Sequence, residues 1–374
     1  MSNKQQEIHL TEALFQPYTI HNLTIPTRIV MAPMSRGFSP NGVPGPDVAA
    51  YYRRRAENGV GLIVTEGTVI NHPAATSEPT LPHIYGEAAL NGWGEAVRQV
   101  HEAGGKIFPQ IWHMGIARPA GSQPNPDVLS ISPSGLDLDG NKVGEPMTEE
   151  EIANVIQSYV DAAVNAQKIG FDGIELHGAH GYLIDQFLWE QTNVRTDRYG
   201  GNRMKRTQFA VELIQSIRAA VGPDYPIAIR ISQWKMNDYN AKLVDTPEQL
   251  EQLLHVLVQA GVDIFHCSTR RFWEPEFEGS ELNFAGWVKK LSGKTTITVG
   301  SVGLDTDYVS LYTEGKGAGH TDIDALLERL SNDEFDLVAV GRALLGDPEW
   351  AAKIRDGRLN ELQAFTPEAL AALV

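Results

Sequence analysis

The hydrophobic positions of the chain form short runs that recur at intervals of roughly thirty to sixty residues. The runs are RIVMA (28–32), GLIVTEG (61–67), KIFPQIW (106–112), FDGIELHG (171–178), PIAIRIS (226–232), VDIFHCS (262–268), TTITVGS (295–301) and FDLVAVGR (335–342). They are almost continuously apolar rather than alternating, which is typical of parallel strands buried on both faces. We therefore predict eight buried parallel strands.

Segments with helical periodicity lie between these runs. TEEEIANVIQSYVDAAVNAQKIG has Thr148 and Glu151 at the spacing of a capping box and Gly170 at its end. TPEQLEQLLHVLVQAG begins with Thr246 as a helix cap and ends at Gly261. Eight strands that alternate with such helices predict an α/β fold, a (β/α)8 TIM barrel. A doubly wound sheet is the alternative, but it would need fewer strands and a switch point.

We interpret residues 1–374 as a single domain, because no linker, repeat or low-complexity segment interrupts the pattern. Two long segments lie outside the predicted strands and helices. One is residues 117–146 after the third strand, which we expect to end in a small hairpin or flap. The other is the aromatic-rich segment 271–287 after the sixth. In a barrel both would lie at the carboxyl-terminal face, where active sites are built.

Composition narrows the class of protein. A hydrophobic fraction of 42% and a charged fraction of 21% are those of a globular protein with a sizeable core. A net charge of -16 argues against nucleic acid as a partner. The single cysteine, Cys267, excludes an intramolecular disulfide, a cysteine-ligated iron–sulfur cluster and a Cys₄ zinc site.

The amino-terminal residues MSNKQQEIHL lack the apolar run of a signal peptide. No stretch reaches the ~18 apolar residues that a membrane span requires. We therefore expect a cytoplasmic protein that does not interact with a membrane.

Polar residues and glycines follow the predicted strands where a barrel would place its active site. They are Ser35 and Arg36 past the first strand, Gln110 and Trp112 at the third, His177 and His180 at the fourth, Arg230 at the fifth, Gly300 at the seventh, and Gly341 and Arg342 at the eighth. The loops after the last two strands form the common phosphate site of such barrels, which backbone N–H groups and an arginine can build.

Several longer motifs stand out along the chain: LFQPYTIHNLTIPTRIVMAPMSR, HGAHGYLIDQFL, the RTDRYGG that follows it, and VGR near the end. Together they resemble the old yellow enzymes, FMN-dependent ene-reductases. They occur in the family's order between about Leu14 and Pro348. The resemblance implies a (β/α)8 barrel that binds FMN and uses NADPH or NADH as reductant.

The same resemblance implies roles for individual residues. His177 and His180 would bind the carbonyl oxygen of the substrate, Tyr182 would protonate the neighbouring carbon, and Trp112 would line the substrate pocket. The residues that would contact FMN are Pro33, Met34, Ser35, Gly67, Gln110, His177, Arg230, Gly300, Ser301, Gly341 and Arg342. Ser35 stands where many members have threonine or cysteine, and the pair at 177 and 180 is His/His rather than the equally familiar His/Asn.

The implied reaction agrees with the chemistry of these side chains. Hydride arriving at the β-carbon of an α,β-unsaturated carbonyl or nitro compound places negative charge on oxygen, which two hydrogen-bond donors would stabilise. A neutral phenol can then protonate the α-carbon. We expect ping-pong kinetics with small activated alkenes, and either a monomer or a homo-oligomer.

Two other interpretations of the paired histidines remain open at this point. A metal-dependent TIM-barrel hydrolase could use His177 and His180 as ligands, with His113 and Asp185 available to complete the site. A flavin-binding module without catalysis is the other, although flavin binding alone would not require Tyr182.

Overall fold

A computed structural model of the protein describes residues 11–374, with the side chain of residue 312 excepted. Residues 1–10, on which the expectation of a missing signal peptide rests, lie outside the described residues. The strands are β1 (Tyr18–Ile20), β2 (Leu23–Ile25), β3 (Ile29–Met31), β4 (Leu62–Val69), β5 (Lys106–Trp112), β6 (Ile174–His180), β7 (Ile227–Lys235), β8 (Ile264–Ser268), β9 (Thr295–Val299) and β10 (Leu337–Val340).

Strands β3 to β10 close into an eight-stranded barrel. Every neighbouring pair is parallel, and β10 pairs with β3 to complete the circle. The predicted (β/α)8 barrel is therefore confirmed, and the doubly wound alternative is wrong because the sheet has no open edge. All eight residues of β4 are buried, as expected for a strand covered on both faces.

Helices follow the barrel strands on the outside. They are α1 (Pro46–Glu57), α2 (Glu87–Glu102), α3 (Glu149–Ile169), α4 (Leu183–Leu188), α5 (Arg203–Arg206), α6 (Gln208–Val221), α7 (Pro247–Ala260), α8 (Phe284–Ser292), α9 (Tyr308–Glu314), α10 (Asp324–Ser331), α11 (Arg342–Gly346) and α12 (Trp350–Arg355). None of the helices within residues 11–374 is long and apolar enough to cross a membrane.

The helix caps predicted for α3 and α7 are present. Thr148 and Glu151 form a reciprocal capping box, and Gly170 ends α3 with a φ of 97°. The side chain of Thr246 accepts a hydrogen bond from the backbone N–H of Gln249 at the start of α7. These contacts satisfy N–H groups that a helix end leaves without a partner, so the sequence defines where both helices begin.

The antiparallel hairpin β1–β2 was not predicted, because strands of three residues are too short to show a periodic pattern. Ile20 and Ile25 of the hairpin pack against apolar side chains of the barrel interior, which include Val30, Leu62 and Phe108. The hairpin therefore closes the amino-terminal end of the barrel with apolar side chains.

The two long segments differ from expectation in detail. Residues 118–146 contain no α-helix or strand, and an isolated bridge between Leu136 and Lys142 forms the expected small hairpin. The predicted loop 271–287 is too long, because α8 already begins at Phe284. Asn283 caps this helix by accepting a hydrogen bond of 2.8 Å from the N–H of Gly286.

Candidate active site

A pocket opens at the carboxyl-terminal ends of the barrel strands. It is lined by residues at the ends of β3 to β10 and from the loops that follow them. Every residue to which the resemblance gives a role lines this pocket: Pro33, Met34, Ser35, Gly67, Gln110, Trp112, His177, His180, Tyr182, Arg230, Gly300, Ser301, Gly341 and Arg342. Arg36, the other residue expected at a strand end, is not part of the lining. The structure therefore brings together residues that are more than three hundred positions apart in the chain.

The end of β6 carries the histidine pair and leads to the tyrosine. His177 is still paired in register with Arg230 of β7, but the register shifts between Gly178 and His180. His180 has a φ of 65°, which turns the chain so that both imidazoles face the same pocket. The ring of His177 lies 5.0 Å from that of His180 and 4.8 Å from that of Tyr182.

Both imidazoles are neutral at pH 7. Burial, followed by the positive charge of Arg230, holds the pKa of His177 well below its ordinary value. Burial and Arg230 act in the same way on the pKa of His180, with the charge of Lys235 as a further cause. A neutral imidazole has one donor and one acceptor nitrogen, so each ring can offer one N–H to a ligand.

Neighbouring side chains fix the orientation of His180 and Tyr182. The Nε2 of His180 lies 2.8 Å from Ser268 Oγ, and its ring stacks on Trp234 at 4.2 Å. The phenol of Tyr182 donates a hydrogen bond of 3.1 Å to the sulfur of Met236, and its ring meets the indole of Trp112 edge to face. The phenol is therefore held at the mouth of the pocket, beside the two imidazoles.

A buried polar network lies below the pocket. The carboxylate of Glu175 accepts a hydrogen bond of 2.8 Å from Gln110 Nε2, and its other oxygen lies 2.7 Å from His266 Nδ1. Arg230 pairs in register with His266, and its guanidinium is buried. Burial lowers the pKa of Arg230, whereas the negative charge of Glu175 opposes that shift. Glu175 therefore balances a cation that faces the pocket.

The loop after β3 is fixed by a second buried carboxylate. Glu66 Oε2 accepts backbone hydrogen bonds of 2.7 Å from Arg36 and 3.0 Å from Gly37, which directly follow Ser35. Burial raises the pKa of Glu66 to about 7, although the two N–H groups oppose the shift. The side chain of Arg36 donates to the carbonyls of Ala369 and other residues near the end of the chain, a segment that contributes Leu370 to the pocket.

Loops after β9 and β10 form the far end of the pocket. Gly300 has a φ of 144°, and an added Cβ there would lie only 2.6 Å from the Thr269 hydroxyl, so glycine is required. Arg342 donates hydrogen bonds to the carbonyls of Asp307 (3.0 Å) and Thr306 (2.6 Å). These bonds hold its guanidinium against the pocket wall.

The lining of the pocket carries positive charge and includes buried polar atoms that have no hydrogen-bond partner among the described residues. Its lining includes three arginines and no aspartate or glutamate. Three of its lining atoms are buried without a hydrogen-bond partner among the described residues: Trp112 Nε1, His177 Nδ1 and Arg230 Nε. Buried polar atoms normally have partners, so these atoms indicate a polar ligand. An anionic, ring-containing group such as FMN fits this donor set.

The geometry does not support the metal-hydrolase alternative. His113 is engaged with His72 at 2.9 Å, and Asp185 forms a fully buried ion pair of 2.8 Å with Lys235. Within residues 11–374, no group of three or more histidine, cysteine, aspartate or glutamate side chains is placed to hold a metal ion. The residues that could complete a metal site thus have other structural roles.

Sequence reasoning missed several residues of the site. They are Glu66, Glu175, Trp234, Met236, His266, Ser268, Thr269, Arg270, Tyr308 and Leu370. Two of them, Glu66 and Glu175, are carboxylates inside otherwise apolar predicted strands, and that anomaly was a usable signal. The loop residues follow strand ends without any periodic pattern that would single them out.

Comparison with known proteins agrees with this geometry. A sequence model of the NADH:flavin oxidoreductase / NADH oxidase family matches residues 13–361. An NADH oxidase of Thermoanaerobacter brockii is 36% identical over 94% of this chain and 52% of its own length. A 12-oxophytodienoate reductase 7 of Oryza sativa subsp. japonica is 33% identical over 91% of this chain and 87% of its own. The solved structure of morphinone reductase with tetrahydroNAD has a TM-score of 0.79 at 27% identity, covering 96% and 94% of the two chains.

A (β/α)8 barrel with this site is that of a flavin-dependent oxidoreductase. The chain belongs to the NADH:flavin oxidoreductase / NADH oxidase family, the old yellow enzymes. It uses FMN, with NADH or NADPH as the reductant. It spans about half the length of the Thermoanaerobacter relative, so that protein's own activity is not transferred to it.

Proposed function

We propose that the protein reduces alkenes activated by a carbonyl or nitro group. The observation that supports this most is the placement of two neutral imidazoles and a phenol in one pocket, with the ring of His177 5.0 Å from that of His180 and 4.8 Å from that of Tyr182. FMN, when bound, supplies the chemistry that takes hydride from NAD(P)H and delivers it to the β-carbon of the alkene. The residues of the chain bind, orient and protonate.

The residues that would hold FMN divide into two groups. Gln110 and Arg230 would hold the pyrimidine edge, with Ser35 near the reactive nitrogen and Pro33, Met34, Gly67 and His177 along the ring. Gly300, Ser301, Gly341 and Arg342 would hold the phosphate, because backbone N–H groups and a guanidinium are suited to a dianion.

His177 and His180 would bind the oxygen of the activating group. As hydride reaches the β-carbon, negative charge develops on that oxygen, and N–H donors already aimed at it stabilise the transition state more than the ground state. Both rings are neutral, and that of His180 is oriented by Ser268. When the serine hydroxyl donates to Nε2 of His180, the Nδ1–H of that ring is available to the ligand. Alkenes without such a group should not react.

Tyr182 would protonate the α-carbon. Its hydroxyl is placed at the pocket mouth through the contact with Met236, and its ring is fixed against Trp112 and His177. A phenol is protonated at neutral pH and can serve as a positioned acid. Because the reductant and the alkene would use one pocket in turn, we expect ping-pong kinetics.

The decisive experiment is the effect of Tyr182→Phe on the two half-reactions, measured by stopped-flow absorbance of the flavin. Only reoxidation by an alkene requires protonation of carbon, so reduction by NAD(P)H should remain within a few-fold of wild type. Reoxidation by 2-cyclohexenone should slow by roughly 10²-fold, the usual contribution of a general acid. Reoxidation of the same variant by a quinone is the internal control and should be unaffected.

Two results would contradict this assignment. Equal slowing of both half-reactions would make Tyr182 a positioning residue. Full activity of the variant with the enone would mean that the proton comes from solvent.

A further inference from the structure

Arg270 is a pocket residue without an assigned role. It follows β8, is partly buried and lines the pocket. Its guanidinium lies over the ring of Tyr239, 5.4 Å from the centroid. Tyr239 stacks on Trp234 at 5.5 Å, and Trp234 stacks on His180 at 4.2 Å. A continuous stack of rings therefore leads from the proposed oxygen-binding histidine to this guanidinium.

The charge of Arg270 has no carboxylate partner within ion-pair distance in the described part of the chain. Its neighbour Arg271 differs, because it pairs with Glu274 at 2.8 Å and with Asp307 at 2.7 Å. The backbone at Arg270 is fixed, since its carbonyl accepts a hydrogen bond of 2.9 Å from Ser301 Oγ. The two adjacent arginines thus divide into one that stabilises the loop and one that faces the pocket.

The pocket has one more cation than FMN would use. Arg230 would face the pyrimidine edge and Arg342 the phosphate, which leaves Arg270. A neutral enone offers no negative charge to a guanidinium, and its carbonyl oxygen would already be bound by His177 and His180. The chain as a whole has a net charge of -16, so a third arginine in the lining of this pocket is not a general feature of the surface. The anionic molecule that shares the pocket in the proposed cycle is the nicotinamide dinucleotide.

We propose that Arg270 binds a phosphate group of the reductant NAD(P)H while the nicotinamide lies in the pocket. The planar fork of guanidinium N–H groups matches phosphate oxygens, and stacking on Tyr239 limits the conformations that the side chain must give up on binding. The phosphate could be the pyrophosphate, which NADH and NADPH share, or the 2′-phosphate of NADPH. The inference rests on the proposed function, because it places the dinucleotide in the same pocket.

The test is Arg270→Gln in the FMN-loaded protein, with both reductants followed by stopped-flow reduction of the flavin. The apparent Kd should rise about tenfold, the size of one lost charge-assisted contact at a partly exposed site, while the limiting reduction rate stays within twofold. A rise for NADPH alone assigns the 2′-phosphate, and an equal rise for both assigns the pyrophosphate. Calorimetric titration with redox-inert tetrahydroNADPH and tetrahydroNADH should reproduce the same pattern without turnover.

Two variants serve as matched controls. Arg53→Gln removes the same charge from the exposed face of α1, outside the pocket, and should leave both Kd values within twofold. Arg270→Lys keeps the charge without the fork and should recover part of the affinity. Raising the ionic strength should weaken binding of the dinucleotide to wild type more than to Arg270→Gln.

Two outcomes would overturn the proposal. One is a Kd within twofold of wild type for both reductants. The other is an effect confined to alkenes that carry a carboxylate, which would make Arg270 a contact for the alkene. In either case, normal reduction of 2-cyclohexenone by the variant would leave the proposed function intact. Absence of enone reduction by the wild-type protein would instead contradict the proposed function itself.

Discussion

Glu175 is a fully buried carboxylate that connects three strands of the barrel. Its oxygens contact Gln110 on β5 and His266 on β8, and its charge faces Arg230 on β7. Burial raises its pKa, but the contacts with His266, Arg230 and Gln110 outweigh burial and hold the pKa below its ordinary value. Burial also lowers the pKa of His266, so the pair consists of an ionised carboxylate and a neutral imidazole that donates to it.

The variant Glu175→Gln should raise the midpoint potential of the bound flavin. Without the carboxylate, Arg230 keeps its charge but loses its buried counter-charge, and a more positive surrounding favours the reduced, more negative flavin. We expect a shift on the order of tens of millivolts, since 30 mV corresponds to about 1.4 kcal/mol for a two-electron couple. Equilibration with redox dyes measures the shift. Glu212→Gln on α6 is the control, and an unchanged or lower potential in Glu175→Gln would contradict the argument.

The variant Arg342→Ala should weaken retention of FMN more than it disturbs the fold. The substitution would remove the charge-assisted hydrogen bonds that we propose between Arg342 and the phosphate dianion, and the expected loss in affinity is roughly 10- to 100-fold. Fluorescence titration of the apoprotein with FMN gives the dissociation constant, and far-ultraviolet circular dichroism monitors the fold. Arg342→Lys should lie between wild type and alanine. Equal affinity in all three proteins would place the phosphate elsewhere.

At the scale of elements, β4 and the loop after β3 are joined through Glu66. Both loop N–H groups bind one oxygen of this carboxylate, Oε2, so a glutamine could keep both hydrogen bonds. The folded pKa of Glu66, about 7, lies above that of an unfolded glutamate. The folded state therefore binds the proton more tightly, and this contribution to stability is lost as pH rises from about 4.5 through 7.

Glu66→Gln should accordingly flatten the pH dependence of unfolding. Wild type should lose roughly 2 to 3 kcal/mol between pH 5 and pH 8 from this group, whereas the variant should not. Thermal or urea unfolding at a series of pH values would show the difference. As a control, Glu57→Gln at the exposed end of α1 should retain the wild-type profile. A variant that loses as much stability as wild type would mean that Glu66 is ionised in the folded protein throughout this range.

The burial of the individual strands explains why the sequence predicts most of the barrel. The eight strands were recognisable because both faces are buried, which makes them continuously apolar. The residues at which strands end and helices begin were harder to predict. Strand β6 runs to His180, two residues past its predicted end, because the irregularity after Gly178 lets the strand continue. The start of α8 was visible in Asn283, a residue type that caps helices, but the aromatic residues around it obscured the signal.

Prediction of the site depended on a different kind of information. His177, His180 and Tyr182 lie within one short motif, so the sequence alone could group them. Trp234 and Leu370 could not be predicted in this way, because they reach the pocket only through barrel closure and through packing of the terminal segment against Arg36. Such contacts join residues far apart in the sequence and leave no periodic pattern.

At the scale of the whole molecule, removal of FMN should lower thermal stability. FMN would contact loops after strands on opposite sides of the barrel and would bind only the folded state. At a free concentration of 100 times its dissociation constant, such a ligand adds about 2.7 kcal/mol. For a protein of this size we expect the Tm to rise by roughly 3 °C. Differential scanning calorimetry of apoprotein with and without FMN measures this, and riboflavin, which lacks the phosphate, should have a smaller effect.

The apolar hairpin β1–β2 at the amino-terminal end of the barrel also limits the routes by which ligands can reach the pocket. Because the hairpin fills that end, ligands enter and leave through a single opening, at the carboxyl-terminal ends of the barrel strands. In the proposed cycle, the oxidised dinucleotide would have to leave before the alkene could bind, and the saturated product would have to leave before the next dinucleotide bound. Where the chemical steps are fast, kcat is then limited by release of ligands through this opening, and kcat should fall as the viscosity of the solvent is raised.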